Sequence, residues 1–323
     1  MKYIVVFILL SVFTSHLSSA QDARFSQFYA NPIYLNPSLA GITGDNRMVL
    51  VHRQQGNSLN GFTTSAFSMD GRLGESSGYG FQLVKDAQLN NVVNTIEFAG
   101  VAAHRIAISE DAQLGLGLRV GYFQRILDFG KLTFEDQLDQ RYGITGTTDE
   151  QFERTTVSAA DISLGMIYTA KHFYAGASLN HINQPQQNFD EEESSFLPIR
   201  YTIHAGGFIR NNNFRKSDFV LSPNLIYQRQ GEFSYLHVGA YFGSELWTLG
   251  AWYRVNNNVV AMLGFNLNKF RFGYSYDLPV GNDNTGLQNA HEITAAYSFR
   301  FSKKNKVKNR YNGKCPMFQR RLF

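Results

Sequence analysis

The sequence is poor in charge, in proline and in cysteine. Charged residues make up 17% of the 323 positions, against roughly 25% in soluble globular chains, and there are 7 Pro and one Cys. A single cysteine excludes a disulfide framework and a cysteine-rich zinc or iron–sulfur site. Mean hydropathy is −0.26, and no apolar run after the N-terminus approaches the length of a membrane helix, which excludes a helical membrane protein.

Aromatic residues, in contrast, are abundant. They form 14% of the chain, with 27 Phe and 17 Tyr. A disordered chain would be poor in them, so this one must bury or shield a large apolar surface.

The N-terminus has the pattern of a secretory signal peptide. Lys2 precedes an apolar run at 3–13, and Ser18 and Ala20 form a small-x-small cleavage site. We therefore expect residues 1–20 to be removed and the mature chain to begin at Gln21. Because that residue is not cysteine, no lipid anchor is expected.

Positive charge is concentrated at the other terminus. Residues 303–323 hold eight basic residues and no acidic one; without these and Lys2, the chain has 21 basic and 26 acidic residues. The acidic balance of the body argues against nucleic-acid binding. Such a basic tail is typical of a solvated interaction arm.

Apolar residues recur with period two rather than 3.6. In one segment Phe270, Phe272, Tyr274 and Tyr276 alternate with Arg271, Gly273, Ser275 and Asp277. The pattern predicts fourteen strands: 46–55, 61–72, 77–87, 92–108, 112–127, 155–170, 172–182, 199–211, 217–229, 232–243, 245–255, 258–267, 269–278 and 289–302.

Strand length and loop order favour a membrane barrel over a soluble sandwich. Most segments have 10–16 residues, whereas soluble strands commonly have about 5–6 and tilted membrane strands need about 9–11. The long connections 128–154, 183–198 and 279–288 all follow odd-numbered segments. We therefore predict an all-β, antiparallel outer-membrane barrel over 46–302, with extracellular long loops, a periplasmic tail at 303–323 and both termini periplasmic.

Several charged residues fall on the polar, lumen-facing phase of these strands. They suit either a selective water-filled pore or a salt-bridged interior that fills the barrel, and the second interpretation is favoured because buried charges must be paired or hydrated. These residues are Glu97, Arg105, Arg119, Arg254, Arg271, Asp277, Glu292 and Arg300.

Residues 21–45 do not resemble a strand. They contain two Asn-Pro pairs, Asn31-Pro32 and Asn36-Pro37, that favour turns. Two interpretations are open: a packed leader into the first strand, or a segment folded into the periplasmic mouth of the barrel.

Four short patterns occur along the chain. They are Asp22-x-x-Phe25-Ser26-Gln27-Phe28-Tyr29-x-Asn31-Pro32-x-x-x-Asn36-Pro37-x-x-Ala40-Gly41, Arg47 with Arg53-Gln54, Tyr276-Asp277-x-Pro279 with His291-Glu292-Ile293 and Tyr297-x-Phe299, and Cys315-Pro316-Met317-Phe318. Together they resemble the PorP/SprF outer-membrane proteins of Bacteroidetes type IX secretion. The chain departs from the usual first-strand Gln-Trp pair of that family at Gln55.

The resemblance implies an accessory component that supports secretion or surface anchoring of adhesin-like proteins with a type B C-terminal targeting domain, in some members linked to gliding motility. Implied partners are outer-membrane lipid, the translocon, periplasmic secretion-motor proteins and a peptidoglycan-binding lipoprotein. Residues that we assign to partner binding are Asn31, Pro32, Asn36, Pro37, Lys303, Lys304, Arg310, Cys315, Pro316 and Phe318.

Catalysis is not expected. The eight His are scattered, and no nucleophile elbow, zinc-protease helix motif or phosphate loop is present; no cofactor or metal is predicted. Two alternatives to a secretion component stay open: a fourteen-stranded porin or hydrophobic-solute transporter, and a purely structural barrel that anchors a surface protein. The basic tail favours the secretion component over a simple porin.

Overall fold

A computed structural model describes residues 22–56, 61–139, 141, 143–144, 148, 155–189, 195–210, 219–255, 258–280 and 289–300. The predicted signal peptide and the basic tail lie outside these ranges.

Fourteen long strands form the body of the protein. They are β1 Asn46–Gln55, β2 Phe62–Leu73, β3 Ser77–Gln88, β4 Val93–Ala107, β5 Gln113–Leu127, β6 Thr156–Thr169, β7 Phe173–Asn180, β8 Arg200–Gly207, β9 Val220–Gln230, β10 Phe233–Gly243, β11 Trp247–Arg254, β12 Asn258–Leu267, β13 Phe270–Pro279 and β14 Ala290–Phe299. After a break at Phe208, Ile209–Arg210 extends β8 along β9.

The sheet closes on itself. Every strand pairs antiparallel with its sequence neighbour, and β1 pairs with β14 from Asn46↔Phe299 to Gln55↔Ala290. This confirms the predicted fourteen-stranded barrel. The predicted segment 289–302 is described as a strand only to Phe299, and 172–182 ends at Asn180, where the ladder to β8 ends.

Side chains alternate between lipid and lumen as the period-two pattern predicts. Leu116, Leu263 and Phe272 are exposed on the outer surface, whereas Gly117 and Arg119 on the polar phase are buried inside. An apolar exterior around a polar interior is the arrangement of a membrane barrel. Within the described ranges, no helix has the length and apolar character needed to cross a membrane.

The two ends of the barrel differ in their connections. We call the end with residues 128–155, 181–199 and 280–289 the long-loop end, and the end with 74–76, 108–112, 170–172, 244–246 and 268–269 the short-turn end. Short 3₁₀ helices at Phe129–Lys131 and Glu135–Gln137, and a ladder between Leu138–Asp139 and Gly143–Ile144, lie at the long-loop end.

Residues 22–45, which we call the luminal segment, precede β1. They contain helix α1, Pro32–Leu35, and a 3₁₀ helix at Pro37–Leu39. Most of their side chains are buried inside the barrel, where they form the core together with inward-facing residues of the strands.

Candidate functional site

The luminal segment runs through the barrel from one end to the other. Asp22 contacts Arg200 and His181, which lie where β8 begins and β7 ends, at the long-loop end. Asp45 binds Arg300 beyond β14, at the short-turn end. The segment therefore spans the lumen instead of occupying one mouth. Because its first described residue, Asp22, lies at the long-loop end, a periplasmic start of the segment is incompatible with extracellular long loops.

The two Asn-Pro pairs start the two short helices inside the lumen. Proline removes a backbone donor that the first turn of a helix leaves unused. Asn36 caps the 3₁₀ helix, since its Oδ1 accepts from the Ser38 amide at 3.0 Å. Its Nδ2 donates to the carbonyls of Met166 and Ala177, at 3.0 and 3.1 Å, so the same side chain fastens the segment to β6 and β7.

Aromatic side chains pack the centre of the lumen. Phe28 and Tyr29 face β10 and β11, where Tyr29 lies 5.7 Å from the ring of Tyr241 and 5.9 Å from that of Trp252. These edge-on and tilted contacts are the favoured geometry of aromatic pairs.

Small residues in the barrel wall let the segment lie close to the strands. A side chain at Gly117 would collide with the backbone of Pro37 and Ser38, and one at Gly165 would collide with Asn36 and Pro37. The glycines on the polar phase therefore provide space for the luminal segment.

Arg53 on β1 links the luminal segment to β13 and β14. Its guanidinium contacts Asp277 at 2.9 Å, Glu292 at 3.3 Å and the hydroxyl of Ser26 at 2.7 Å. Glu292 also accepts from the backbone amides of Ser26 and Gln27, at 2.6 and 3.0 Å. Both carboxylates are fully buried, so the cluster satisfies charges that would otherwise be costly in the lumen.

A second cluster fixes the start of the segment. Asp22 accepts from His181 Nε2 at 2.7 Å and from Arg200 at 2.8 Å, and His181 Nδ1 lies 2.9 Å from Asp161. Burial alone would lower the pKa of His181, but the negative charges of Asp22 and Asp161 outweigh it and raise the pKa to about 9. With carboxylates on both ring nitrogens, His181 is an imidazolium at neutral pH.

Arg119 and Arg47 make further ion pairs in the interior. Arg119 binds Asp161 at 2.6 Å and also Glu97. At the short-turn end, Arg47 binds Asp70 at 2.9 Å, and the other oxygen of Asp70 accepts from the Gly41 amide at the same distance. Together with the Arg53 cluster, these pairs give a salt-bridged interior with the segment bound into it.

The structure places most of the eight predicted luminal charges inside the barrel, but not in one site. Asp277 and Glu292 belong to the Arg53 cluster, Arg119 pairs with Glu97 and Asp161, and Arg254 lies 3.8 Å from Asp277. Three others lie elsewhere. Arg105 binds the carbonyl of Ala40, Arg271 lines a cavity at the short-turn end, and the side chain of Arg300 is 62% exposed at the rim.

Asn31, Pro32, Asn36 and Pro37, assigned from sequence to partner binding, are buried in the lumen. Lys303, Lys304, Arg310, Cys315, Pro316 and Phe318 lie outside the described residues, and the partner role of all ten stays a prediction.

Sequence reasoning missed Asp22, Asp161 and His181 as members of the interior. Asp161 lies on the inward phase of β6 beside Ser163, a signal that was available. His181 follows the end of β7, and outside a strand the period-two pattern does not indicate which way a side chain points.

Two cavities flank the first residues of the luminal segment at the long-loop end. One, about 590 Å³ including its open mouth, lies between the segment and β8–β10. The other, about 750 Å³ on the same measure, lies towards β3–β6. Among the described residues, no group of three or more His, Cys, Asp or Glu side chains is arranged to hold a metal ion.

The family model described as type IX secretion system membrane protein PorP/SprF matches residues 17–297. Among curated proteins, none matches the sequence significantly.

Several solved outer-membrane proteins are similar in structure at low sequence identity. A TodX ΔS2S3 mutant monoaromatic hydrocarbon channel is 12% identical with a TM-score of 0.48, and the match covers 83% of this chain and 94% of that one. The CymD monoaromatic hydrocarbon channel is 11% identical with a TM-score of 0.44, covering 84% and 93%. Omp33 of Acinetobacter baumannii is 6% identical with a TM-score of 0.44, covering 80% and 100%.

Proposed function

Because this chain belongs to the PorP/SprF family of type IX secretion system membrane proteins, we propose that it is a non-catalytic docking component of that system in the outer membrane. In this role it supports the secretion or surface anchoring of specific adhesin-like substrates with a type B C-terminal domain, including those used in gliding.

One observation carries this proposal: the lumen is occupied by the protein's own chain. The luminal segment is bound to the wall by Arg53, Asp70 and Asn36, and its residues are buried over most of their length. A barrel filled in this way offers no path for a folded substrate. It is suited to present its ends and its tail to other proteins.

A fourteen-stranded porin or hydrophobic-solute transporter is the alternative function, and the cavities at both ends of the lumen are what favours it. The two proposals differ in ion conductance. In planar bilayers we expect the purified barrel to give no stable open channel. Steady porin-like currents would favour the alternative.

The tail is the proposed contact with periplasmic partners, namely the motor proteins or a peptidoglycan-binding lipoprotein. Its eight basic residues give orientation through charge, and Phe318 and Phe323 give an apolar contact.

Deletion after Ser302 tests the tail directly. We expect a barrel that still inserts and still migrates in a heat-modifiable way, but that no longer recovers the translocon and periplasmic partners and no longer supports display of the adhesin. A folded, tail-less barrel that recovers every partner would refute the docking role, and failure to insert would show that the tail serves assembly.

A further inference from the structure

An open groove crosses the outer, lipid-facing surface of the barrel from β14 over β1 and β2 to β3. Its volume is about 380 Å³. Val51 and Ala66 line it although their side chains are buried on the inner side, so the floor of the groove is strand backbone. Two of its outward-facing residues, Ser65 and Ala295, are small, and this leaves room between the larger side chains around them.

The part of the groove nearer the middle of the barrel is apolar. Leu50, Phe67 and Leu83 are direct cross-strand partners on β1, β2 and β3, and Phe98 on β4 continues the row. Leu50, Leu83 and Phe98 are exposed on the outer surface. In a membrane barrel such a row contacts lipid chains.

The next row towards the long-loop end is polar. His52, Ser65 and Lys85 are direct cross-strand partners on the same three strands. Each lies three residues from the end of its strand at the long-loop end. The change from an apolar to a polar row marks the boundary between hydrocarbon and lipid headgroups on this side of the barrel.

Lys85 has no counter-ion on the described part of the chain. Its side chain is exposed, and no ion pair or hydrogen bond joins it to another described residue. The carboxylates of the fourteen strands all face the lumen, so none of them neutralises a cation on the outer surface. They are Asp70, Asp86, Glu97, Asp161, Asp277 and Glu292. An ammonium group at the edge of the hydrocarbon is stabilised by an anion that comes from the membrane.

His52 and Ser65 place further polar groups beside Lys85. The Ser65 hydroxyl and His52 Nδ1 are 3.0 Å apart. When the hydroxyl donates to Nδ1, the ring carries its proton on Nε2, which can then donate to an anion. Because neighbouring strands are about 4.8 Å apart, the Cα atoms of His52 and Lys85 are separated by roughly 10 Å, a gap that the long lysine side chain can narrow.

We propose that this groove binds a phosphate-bearing anionic lipid of the leaflet at the long-loop end. One acyl chain lies in the groove against Leu50, Phe67 and Leu83. The lipid phosphate accepts hydrogen bonds from the Lys85 ammonium and from His52, since lysine is a common phosphate ligand in proteins. This goes beyond the docking function above and does not depend on it.

The test is native mass spectrometry of the full-length barrel, delipidated in detergent and incubated with one lipid at a time. The probes are dioleoyl phosphatidic acid, which is anionic, and dioleoyl phosphatidylcholine, which has the same chains but no net charge. We expect the first phosphatidic acid molecule to bind about fivefold tighter than the first phosphatidylcholine, the contribution of one lysine near a membrane surface. Inorganic phosphate should not displace the lipid because it lacks the chain.

Matched variants separate the headgroup contact from the chain contact. Lys85→Gln should remove the preference for phosphatidic acid, whereas Arg229→Gln, which removes the same charge from an exposed position on β9, should keep it. Ala295→Phe fills the groove and should weaken both lipids alike. Ala261→Phe, the same change at an exposed position on β12, should weaken neither. Heat-modifiable migration confirms that each variant is folded.

Several outcomes would overturn the proposal. They are equal binding of the two lipids to the parent protein, an unchanged preference in folded Lys85→Gln, an equal loss of preference in Arg229→Gln, unchanged binding in Ala295→Phe, and full displacement by inorganic phosphate. A dimer that Ala295→Phe abolishes would show instead that this face meets a second copy of the chain. Because none of these measurements involves the secretion partners, failure here leaves the docking function standing.

Discussion

At the scale of single residues, Arg53 holds together a buried cluster of charges. It lies between two fully buried carboxylates, Asp277 and Glu292, and also binds the luminal segment through Ser26. Breaking a buried ion pair from one side is costly because the remaining charge is neither hydrated nor compensated.

Arg53→Ala should therefore lower the free energy of unfolding by about 3–5 kcal/mol. The measurement is chemical unfolding followed by the fluorescence of Trp247 and Trp252. Arg300→Ala is the control: the Arg300 side chain is 62% exposed, so solvent screens its pair with Asp45 and the pair contributes about 1 kcal/mol or less. Equal losses in the two variants would contradict the role given to Arg53.

His181 makes the anchoring of Asp22 dependent on pH. Its pKa in the folded protein is about 9, above the usual 6.5, so its contribution is complete below about pH 6.5 and is lost as the pH rises through about 9. Asp22, Asp161, Arg200 and Arg119 are the charged groups around it. Asp22 is ionised throughout this range, since His181 and Arg200 outweigh the effect of burial and lower its pKa.

Raising the pH from 7 to 10 should loosen the start of the luminal segment, seen as faster trypsin cleavage at Arg24. In His181→Gln, which keeps a polar side chain but carries no charge, the rate of cleavage should already be raised at pH 7 and change little over this range. A parallel rise in both proteins would show that other groups control the effect.

At the scale of elements, the fit of the luminal segment to the wall depends on glycines. Gly117 on β5 faces the backbone of Pro37 and Ser38, which cannot move aside as a side chain can. At Gly100 on β4, nothing lies within 4 Å of the place that a Cβ atom would take. Gly100 is therefore a matched control for Gly117.

Gly117→Ala should destabilise the barrel by about 1–3 kcal/mol through overpacking and expose residues 22–45 to protease. Gly100→Ala should be neutral, since nothing lies within 4 Å of the added methyl group. The readouts are the temperature of heat-modifiable unfolding and the cleavage pattern. A Gly117→Ala protein that behaves like Gly100→Ala would mean that the segment is not held against β5.

At the scale of the whole molecule, the orientation of the barrel in the membrane sets which end faces the cell exterior. The parity of the long loops predicts that the long-loop end does. Glu232 and Ser109 are exposed residues in turns at the long-loop and short-turn ends, respectively.

Cysteine at Glu232, in a Cys315→Ser background, should react with a membrane-impermeant maleimide on intact cells. Cysteine at Ser109 should react only after the outer membrane is opened. The reverse pattern would place the long loops in the periplasm and Asp22 with them. The predicted pattern would instead place Asp22 at the outer mouth.

Much of this molecule could be predicted from sequence because a strand between lipid and a polar lumen must alternate. That alternation gave the strand positions within a few residues and placed Arg119, Asp277 and Glu292 on the inner face. It gave no information on His181, which lies outside a strand, or on the path of residues 22–45, whose helices are too short to show a period.

The sequence by itself determined the barrel, its strand count and the polarity of its two faces, since each is a property of neighbouring residues in one strand. Only the tertiary structure decided which charges meet. Arg53 and Glu292 are 239 residues apart and Arg119 and Asp161 are 42 apart, and they come together because closure and stagger of the ring set their heights in the lumen. The structure also decided that the chain fills its own barrel, because the space that admits the luminal segment exists only once the ring has closed.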